Sequence, residues 1–245
     1  MELLPVEIVN EILLLVDRPS LYHCSQVCTQ WQCLSLKQVK IIKDAYDIYK
    51  ACRQGDHLSV IKCKLDLMGS WLTLSCGLDA ACRGGHKELV ELMIARGANG
   101  WDDGLDGACR GGHKELVDLM IAHGANDWDG GLNSACRGGH KELVELMITN
   151  GAKYWDNGLN GACRGGHKEL VDLMIAHGAK DWDSGLSGAC ARGYKELADL
   201  MIARGAKNWN LGLWNACTGG HKQLIELMIT KGANRCLCNK PLSKH

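Results

Sequence analysis

Three regularities of the sequence predict an all-α fold built from stacked helix pairs. Trp101, Trp128, Trp155, Trp182 and Trp209 recur every 27 residues. The pairs Gly97-Ala98, Gly124-Ala125, Gly151-Ala152, Gly178-Ala179, Gly205-Ala206 and Gly232-Ala233 keep the same interval. Between them, apolar residues fall at helical spacing, as in Leu116, Val117, Leu119, Met120 and Ile121. A period of this length marks a solenoid, because one short unit cannot bury enough apolar surface alone and must lean on its copies.

The unit from Trp101 to Asp127 shows the parts in order. Asp103 is placed to cap a first helix whose inner face carries Leu105, Ala108 and Cys109; Asn157 and Ser184 hold the same slot in later units. Asp, Asn and Ser suit that slot because their side chains accept a hydrogen bond from a free helix N–H. Gly111-Gly112 ends the helix and turns the chain. A second helix begins near His113, and Gly124 stops it. A degraded unit begins near Asp44, with Ala51-Cys52-Arg53 in the Ala-Cys-Arg position and three extra residues before Cys82. About seven units therefore fill residues 44–235, and residues 236–245 form a C-terminal tail.

Residues 1–43 lack the period. Pro5 suits a first helical position, and Ile8, Ile12 and Leu15 follow at i, i+4 and i+7. Arg18-Pro19-Ser20 breaks that helix, and a second helical stretch carries Leu21, Cys24, Val27, Cys28, Trp31 and Leu34. About 40 residues make too small a core to stand alone. Their surplus apolar surface calls for a partner, the first repeat, or both.

The repeated pattern Gly-Leu-x-x-Ala-Cys-x-x-Gly-His-x-x-Leu-Val-x-Leu-Met-Ile-x-x-Gly-Ala is clearest at 104–125, 131–152 and 158–179. It resembles the ankyrin repeat, with two departures. A Gly precedes the Leu where the family opens on Thr-Pro-Leu-His, and the unit is about six residues shorter than the family's roughly 33. The loss falls between Gly-Ala and the next helix, where ankyrin repeats carry a projecting β-hairpin. A tight turn with shortened or missing hairpins is therefore expected.

The N-terminal residues Leu4-Pro5, Glu7-Ile8, Ile12-Leu13, Leu21, Val27-Cys28, Trp31 and Leu34 are similar to an F-box. That resemblance implies an F-box-like helical domain at 1–43 that docks on a Skp-family adaptor of cullin–RING ubiquitin ligases. Leu4, Pro5, Ile8, Ile12, Leu13, Val27 and Trp31 would make the contact. It also implies that the repeats present a target protein for ubiquitin transfer. F-boxes joined to ankyrin repeats resemble proteins of large DNA viruses, which redirect host ubiquitination; the setting would then be the host cytoplasm.

Charge and composition narrow the alternatives. Lys and Arg number 28, Asp and Glu 28, so the basic surplus that nucleic acid or an anionic membrane calls for is absent. The longest wholly apolar stretch near the start, Ile12 to Val16, falls far short of the ~20 residues that cross a bilayer. No basic region of a secretory signal is present in Met1–Pro5. Cys82, Cys109, Cys136, Cys163, Cys190 and Cys217 share one register. Stacked helices lie ~8–10 Å apart, while a disulfide needs Cα atoms within ~7 Å. These six are expected to be small buried side chains in a reducing, cytoplasmic compartment.

Neither a cofactor nor catalytic machinery is indicated. The run Cys-Arg-Gly-Gly-His-Lys at 82–87, 109–114, 136–141 and 163–168 lacks P-loop spacing and reads as a helix–helix turn, with His bonding nearby backbone. His23, Cys24 and Cys28, and Cys236 with Cys238, complete no metal-ligand pattern. The Arg53, Arg83, Arg110, Arg137, Arg164 ladder reads as a solvated face paired with carboxylates. Each Trp is expected to cover the core across the shortened turn, the rival being an exposed aromatic strip.

Positions that change within the fixed frame carry the information about a partner. Asp79, Asp106, Asn133, Asn160, Ser187 and Trp214 lie on successive first helices, the groove side of ankyrin stacks, and are the expected target-binding row. Trp214 lacks a counterpart in any other unit. Two functions follow: a substrate-recruiting adaptor of a ubiquitin ligase, or a plain ankyrin scaffold whose N-terminal helices cap the solenoid.

Overall fold

The computed structural model describes residues 53 and 71–234. Among them are twelve helices and no strands. First helices are α1 (Trp71–Gly84), α3 (Trp101–Gly111), α5 (Trp128–Gly138), α7 (Trp155–Gly165), α9 (Trp182–Arg192) and α11 (Trp209–Gly219). Second helices are α2 (Lys87–Ala95), α4 (Lys114–Ala122), α6 (Lys141–Asn150), α8 (Lys168–Ala176), α10 (Lys195–Arg204) and α12 (Lys222–Thr230). The fold is an all-α, ankyrin-type solenoid. The hairpin is missing throughout the described residues, and a short turn takes its place.

Each unit closes on its own glycines. Gly112 adopts φ +82°, and the His113 N–H reaches back to the Ala108 carbonyl at 3.0 Å. Gly124 adopts φ +103°, its N–H bonds the Ile121 carbonyl, and the Ala125 N–H bonds the Met120 carbonyl at 3.0 Å. This pair of bonds satisfies carbonyls that the end of α4 would otherwise leave bare. The helix start differs from the sequence expectation. First helices open at the Trp, so Asp103, Asn157 and Ser184 lie inside the first turn. In α5, α9 and α11 the residue before the Trp caps instead: Asp127 accepts from the Gly130 N–H at 2.9 Å, Asp181 from Ser184 at 2.9 Å and Asn208 from Leu211 at 3.1 Å, whereas Gly100 before α3 and Tyr154 before α7 give no side-chain cap.

Burial follows the helical stripe. Leu105, Ala108, Cys109, Val117 and Met120 are fully buried and Leu116 nearly so, while Leu119 and Ile121 are half-buried on the flank. The stripe recurs with the period, which gives one continuous core along the stack. First helices of neighbouring units touch each other more extensively than the two helices of one unit do, whereas second helices make no comparable contact with each other. The stack is therefore more closely packed along its first-helix side than along the other.

The turn that replaces the hairpin is tied to the preceding unit by one side chain. Asp102, just after Trp101, accepts from the backbone N–H groups of Asn126 and Asp127 at 2.8 and 3.0 Å. Asp129 does the same for Lys153 and Tyr154, Asp156 for Lys180 and Asp181, and Asp183 for Lys207 and Asn208, all between 2.6 and 2.8 Å. Asn210 bonds the Asn234 N–H at 2.8 Å. Two backbone donors without a strand partner thus find a carboxylate, a charge-assisted bond stronger than a neutral one. Above each turn the Trp is half-buried against the core. Trp101 stacks on His123 at 4.5 Å, Trp155 on His177 at 4.7 Å, and the Arg204 guanidinium lies 5.6 Å from the Trp182 ring centre. The Trp rings cover the core rather than form an exposed strip.

Contact between first helices is set by one position per unit. A Cβ at Gly107, Gly161 or Gly188 would come within 2.3, 2.3 and 2.7 Å of the backbone oxygen of Asp79, Asn133 or Asn160. These three seams are the closely packed ones. Where the position carries a side chain the seam is looser and a hydrogen bond fills it: the Ser134 hydroxyl donates to the Asp106 carboxylate, and Asn215 Nδ2 donates to the Ser187 hydroxyl at 2.9 Å. Replacing Gly161 by Ala should force its seam toward the looser spacing. We expect a loss of about 1–3 kcal/mol, read as a lower urea midpoint with an unchanged m-value.

Candidate protein-binding face

The exposed side of the first helices presents three residues per unit, at i, i+3 and i+7. In α3 these are Asp103, Asp106 and Arg110; in α11 they are Leu211, Trp214 and Thr218. The expected target-binding row is the middle column. Asp79 is buried and lies 3.3 Å from Arg83, which also lies 3.6 Å from Asp106. Asp106 accepts from Ser134. Asn133 donates to the Asn157 carbonyl at 2.6 Å, Asn160 to the Ser184 carbonyl at 2.7 Å, and Ser187 accepts from Asn215. Five members of the row are thus engaged inside the stack, four of them half-buried. Trp214 differs: it is 54% exposed, and Leu211 beside it is 38% exposed.

The arginine column departs from the expected face of solvated ion pairs. Arg83 is half-buried and bonded to carboxylates. Arg137 and Arg164 are half-buried too, but no carboxylate among the described residues pairs with them. Burial, then repulsion from Arg110, Arg164, Arg192 and Arg83, pushes the Arg137 guanidinium down to about 9. At neutral pH it remains charged.

The Gly-Gly-His turn is a second tie between units. His86 Nε2 lies 3.1 Å from the Arg53 carbonyl. A Cβ at Gly112 or Gly139 would strike the rings of His140 and His167 at 2.3 and 2.5 Å, so each ring lies on the glycine of the unit before. Tyr194 takes that place over Gly166. His140 bonds the Arg110 backbone and is lowered chiefly by burial. Among the described residues, no three His, Cys, Asp or Glu side chains are placed to hold a metal ion. His23, Cys24, Cys28, Cys236 and Cys238 lie outside the described residues, as do Leu4, Pro5, Ile8, Ile12, Leu13, Val27 and Trp31.

Family models match the chain in two places. Ankyrin repeats, in three copies, match residues 78–158, and an F-box-like model matches residues 1–39. The chain joins an F-box-like region to ankyrin repeats. The structure is similar to the crystal structure of the human ASB11 ankyrin repeat domain, at 22% identity and a TM-score of 0.40, over 64% of this chain and 84% of that one. No curated protein matches the chain. None of these matches shows the expected resemblance to proteins of large DNA viruses. Among the described residues no helix is long and apolar enough to cross a membrane.

Within the ankyrin units, one functional set escaped the sequence reading: Asp102, Asp129, Asp156 and Asp183. Their signal is the Trp-Asp pair in four successive units, with Trp209-Asn210 in the fifth.

The cysteine register divides. Cys82, Cys109, Cys136, Cys163 and Cys190 are buried free thiols. Cys217 departs from the expected reading, because it is half-buried and disulfide-bonded. Burial pushes the five thiols up to about 12, with Asp79 adding to the effect at Cys82 and Asp106 at Cys109. Thiols so raised are poor nucleophiles and metal ligands. Their ordinary value is 9.0, so the unfolded chain loses these protons first. The stabilisation is complete below pH 9.0 and is lost as pH rises toward about 12. Urea unfolding between these limits should lose stability with pH, and Cys136→Ala should lower that slope by about one proton.

Proposed function

We propose that the chain is a non-catalytic adaptor of a Skp–cullin–F-box ubiquitin ligase. The F-box-like region docks on a Skp-family protein, and the ankyrin repeats hold the target. The match of an F-box-like model to residues 1–39, ahead of ankyrin repeats, carries this reading. Both modules are interaction modules rather than enzymes, and a repeat stack held by tandem seams offers a long face of fixed side chains. The boundaries that fit are 1–43 for the F-box-like domain, 44–235 for the repeats and 236–245 for the tail. The Arg53 carbonyl supports a further unit ahead of α1. It lies against Gly84 and His86 as the Arg83 carbonyl lies against Gly111, beside His113. The site of action is the cytoplasm, where such ligases work; if the source is a virus, it is the host's.

In this reading Leu4, Pro5, Ile8, Ile12, Leu13, Val27 and Trp31 form the adaptor contact. Asp79, Asp106, Asn133, Asn160, Ser187 and Trp214 mark the target side. The test is co-purification of the full chain with a recombinant Skp-family protein. Ile8→Ala with Leu13→Ala should weaken that association at least about tenfold, since two aliphatic anchors of the proposed contact are lost. The helical circular-dichroism signal and melting of the repeats should persist. Undiminished association in the double variant overturns the proposal.

A further inference from the structure

Charge on the first-helix face is sorted along the stack. Its carboxylates belong to the first described units: Asp79, Asp103 and Asp106. The equivalent positions in α5, α7 and α9 are Gly130 and Asn133, Asn157 and Asn160, and Ser184 and Ser187. The arginines continue past the point where the carboxylates stop. Arg83 lies between Asp79 and Asp106, whereas Arg137 and Arg164 face only neutral neighbours in those columns; in α9 the column carries Ala191, and the exposed Arg192 stands one residue on, near enough to repel Arg137. Arg164 Nε is buried without a hydrogen-bond partner among the described residues. Beyond them the face ends on Leu211 and Trp214, both exposed.

Such an arrangement is unfavourable in the free protein. Half-buried like charges repel, and a guanidinium nitrogen shielded from water without an acceptor loses hydration for nothing in return. The chain as a whole is neutral, so the cluster is a local feature and not a by-product of a basic composition. Glutamine at these positions would keep the length and most of the polarity without the repulsion. The arrangement becomes favourable when carboxylates arrive from outside, because the planar guanidinium pairs them two bonds at a time. A large exposed aromatic beside a charged anchor is a recurrent binding hot spot.

We infer that this face binds an acidic peptide segment of the target, with its carboxylates over Arg137, Arg164 and Arg192 and a large apolar side chain against Leu211 and Trp214. The inference rests on the reading that the repeats hold a target, and it names that target's chemistry. Helices packed ~8–10 Å apart put Arg137 roughly 25–30 Å from Trp214, three units on. An extended strand advancing ~3.3 Å per residue covers that in about eight residues. The segment is therefore short and linear, acidic at one end and apolar at the other. The order of the arginines before Leu211 and Trp214 along the stack sets which end of the segment is acidic.

The test is selection of random peptides of about ten residues on the immobilised full-length protein. Enrichment of Asp and Glu followed by Leu, Phe or Trp near one end is expected. Arg137→Gln with Arg164→Gln should weaken the selected peptides at least about tenfold and abolish the acidic preference. It should melt no lower than the parent, since repulsion is relieved. Arg137→Lys with Arg164→Lys should keep the acidic preference, and Trp214→Ala should lose only the apolar one. The protein carrying Ile8→Ala and Leu13→Ala should select the same peptides. Failure of the ligase reading thus shows in Skp binding and leaves this result intact. Selection of peptides without acidic residues, undiminished binding by the double glutamine variant, no enrichment at all, or tighter binding of a uridine oligonucleotide than of any peptide overturns the inference.

Discussion

Shortening the repeat to 27 residues leaves four connections among the described residues with two backbone N–H groups each and no neighbouring strand to receive them. At each of the four the aspartate after the preceding Trp receives both. The Trp before it lies on the core and covers the gap the hairpin would have filled. A recurrent Trp-Asp pair therefore does two jobs of a β-hairpin: it satisfies backbone donors and shields apolar surface. Because the carboxylate stands at the start of one first helix and the amides lead into the next, the bond ties the turn between units to the helix pair before it.

The first-helix side depends on that stacking for its character. Glycine at 107, 161 and 188 lets the helices close up, while Ser134 and Asn215 hold their seams slightly apart with a hydrogen bond. The residues next to them in sequence point outward. Changes that tune the seam and changes that tune the face are thus adjacent along the chain. This explains why Asp106, Asn133, Asn160 and Ser187 are half engaged in the stack and half presented to a partner. Trp214 and Leu211 stand where the stack has exposed apolar surface instead.

Much of this was legible from the amino-acid order. The helix pair, its apolar stripe at Leu116, Val117 and Met120, and the stop at Gly124 follow from periodicity and from the left-handed conformation glycine tolerates. Loss of the hairpin followed from the missing residues. The helix start was not legible in the same way. Asp181 and Ser184 are both good caps for α9, and only backbone geometry tells which precedes the first helical residue. The Asp156 tie joins residues 24 and 25 positions apart, a separation that no local pattern announces. The arginine column was read as solvated pairs because Asp79 and Asp106 supply partners at the start of the stack; asparagine takes over at 133 and 160, and the pairing ends there. Cys217 shares its register with five free thiols, and sequence register alone does not separate it from them.

Amide hydrogen exchange of the intact protein reads the inter-unit tie most directly. Lys153, Tyr154, Lys180, Asp181, Lys207 and Asn208 are exposed residues in short turns, and without an acceptor their amides exchange as in an open peptide. If the aspartates hold the stack, these amides exchange as slowly as those of the core helices and open together with them. Exchange at open-peptide rates, with the helices still protected, contradicts the tie and with it the replacement of the hairpin by a side chain.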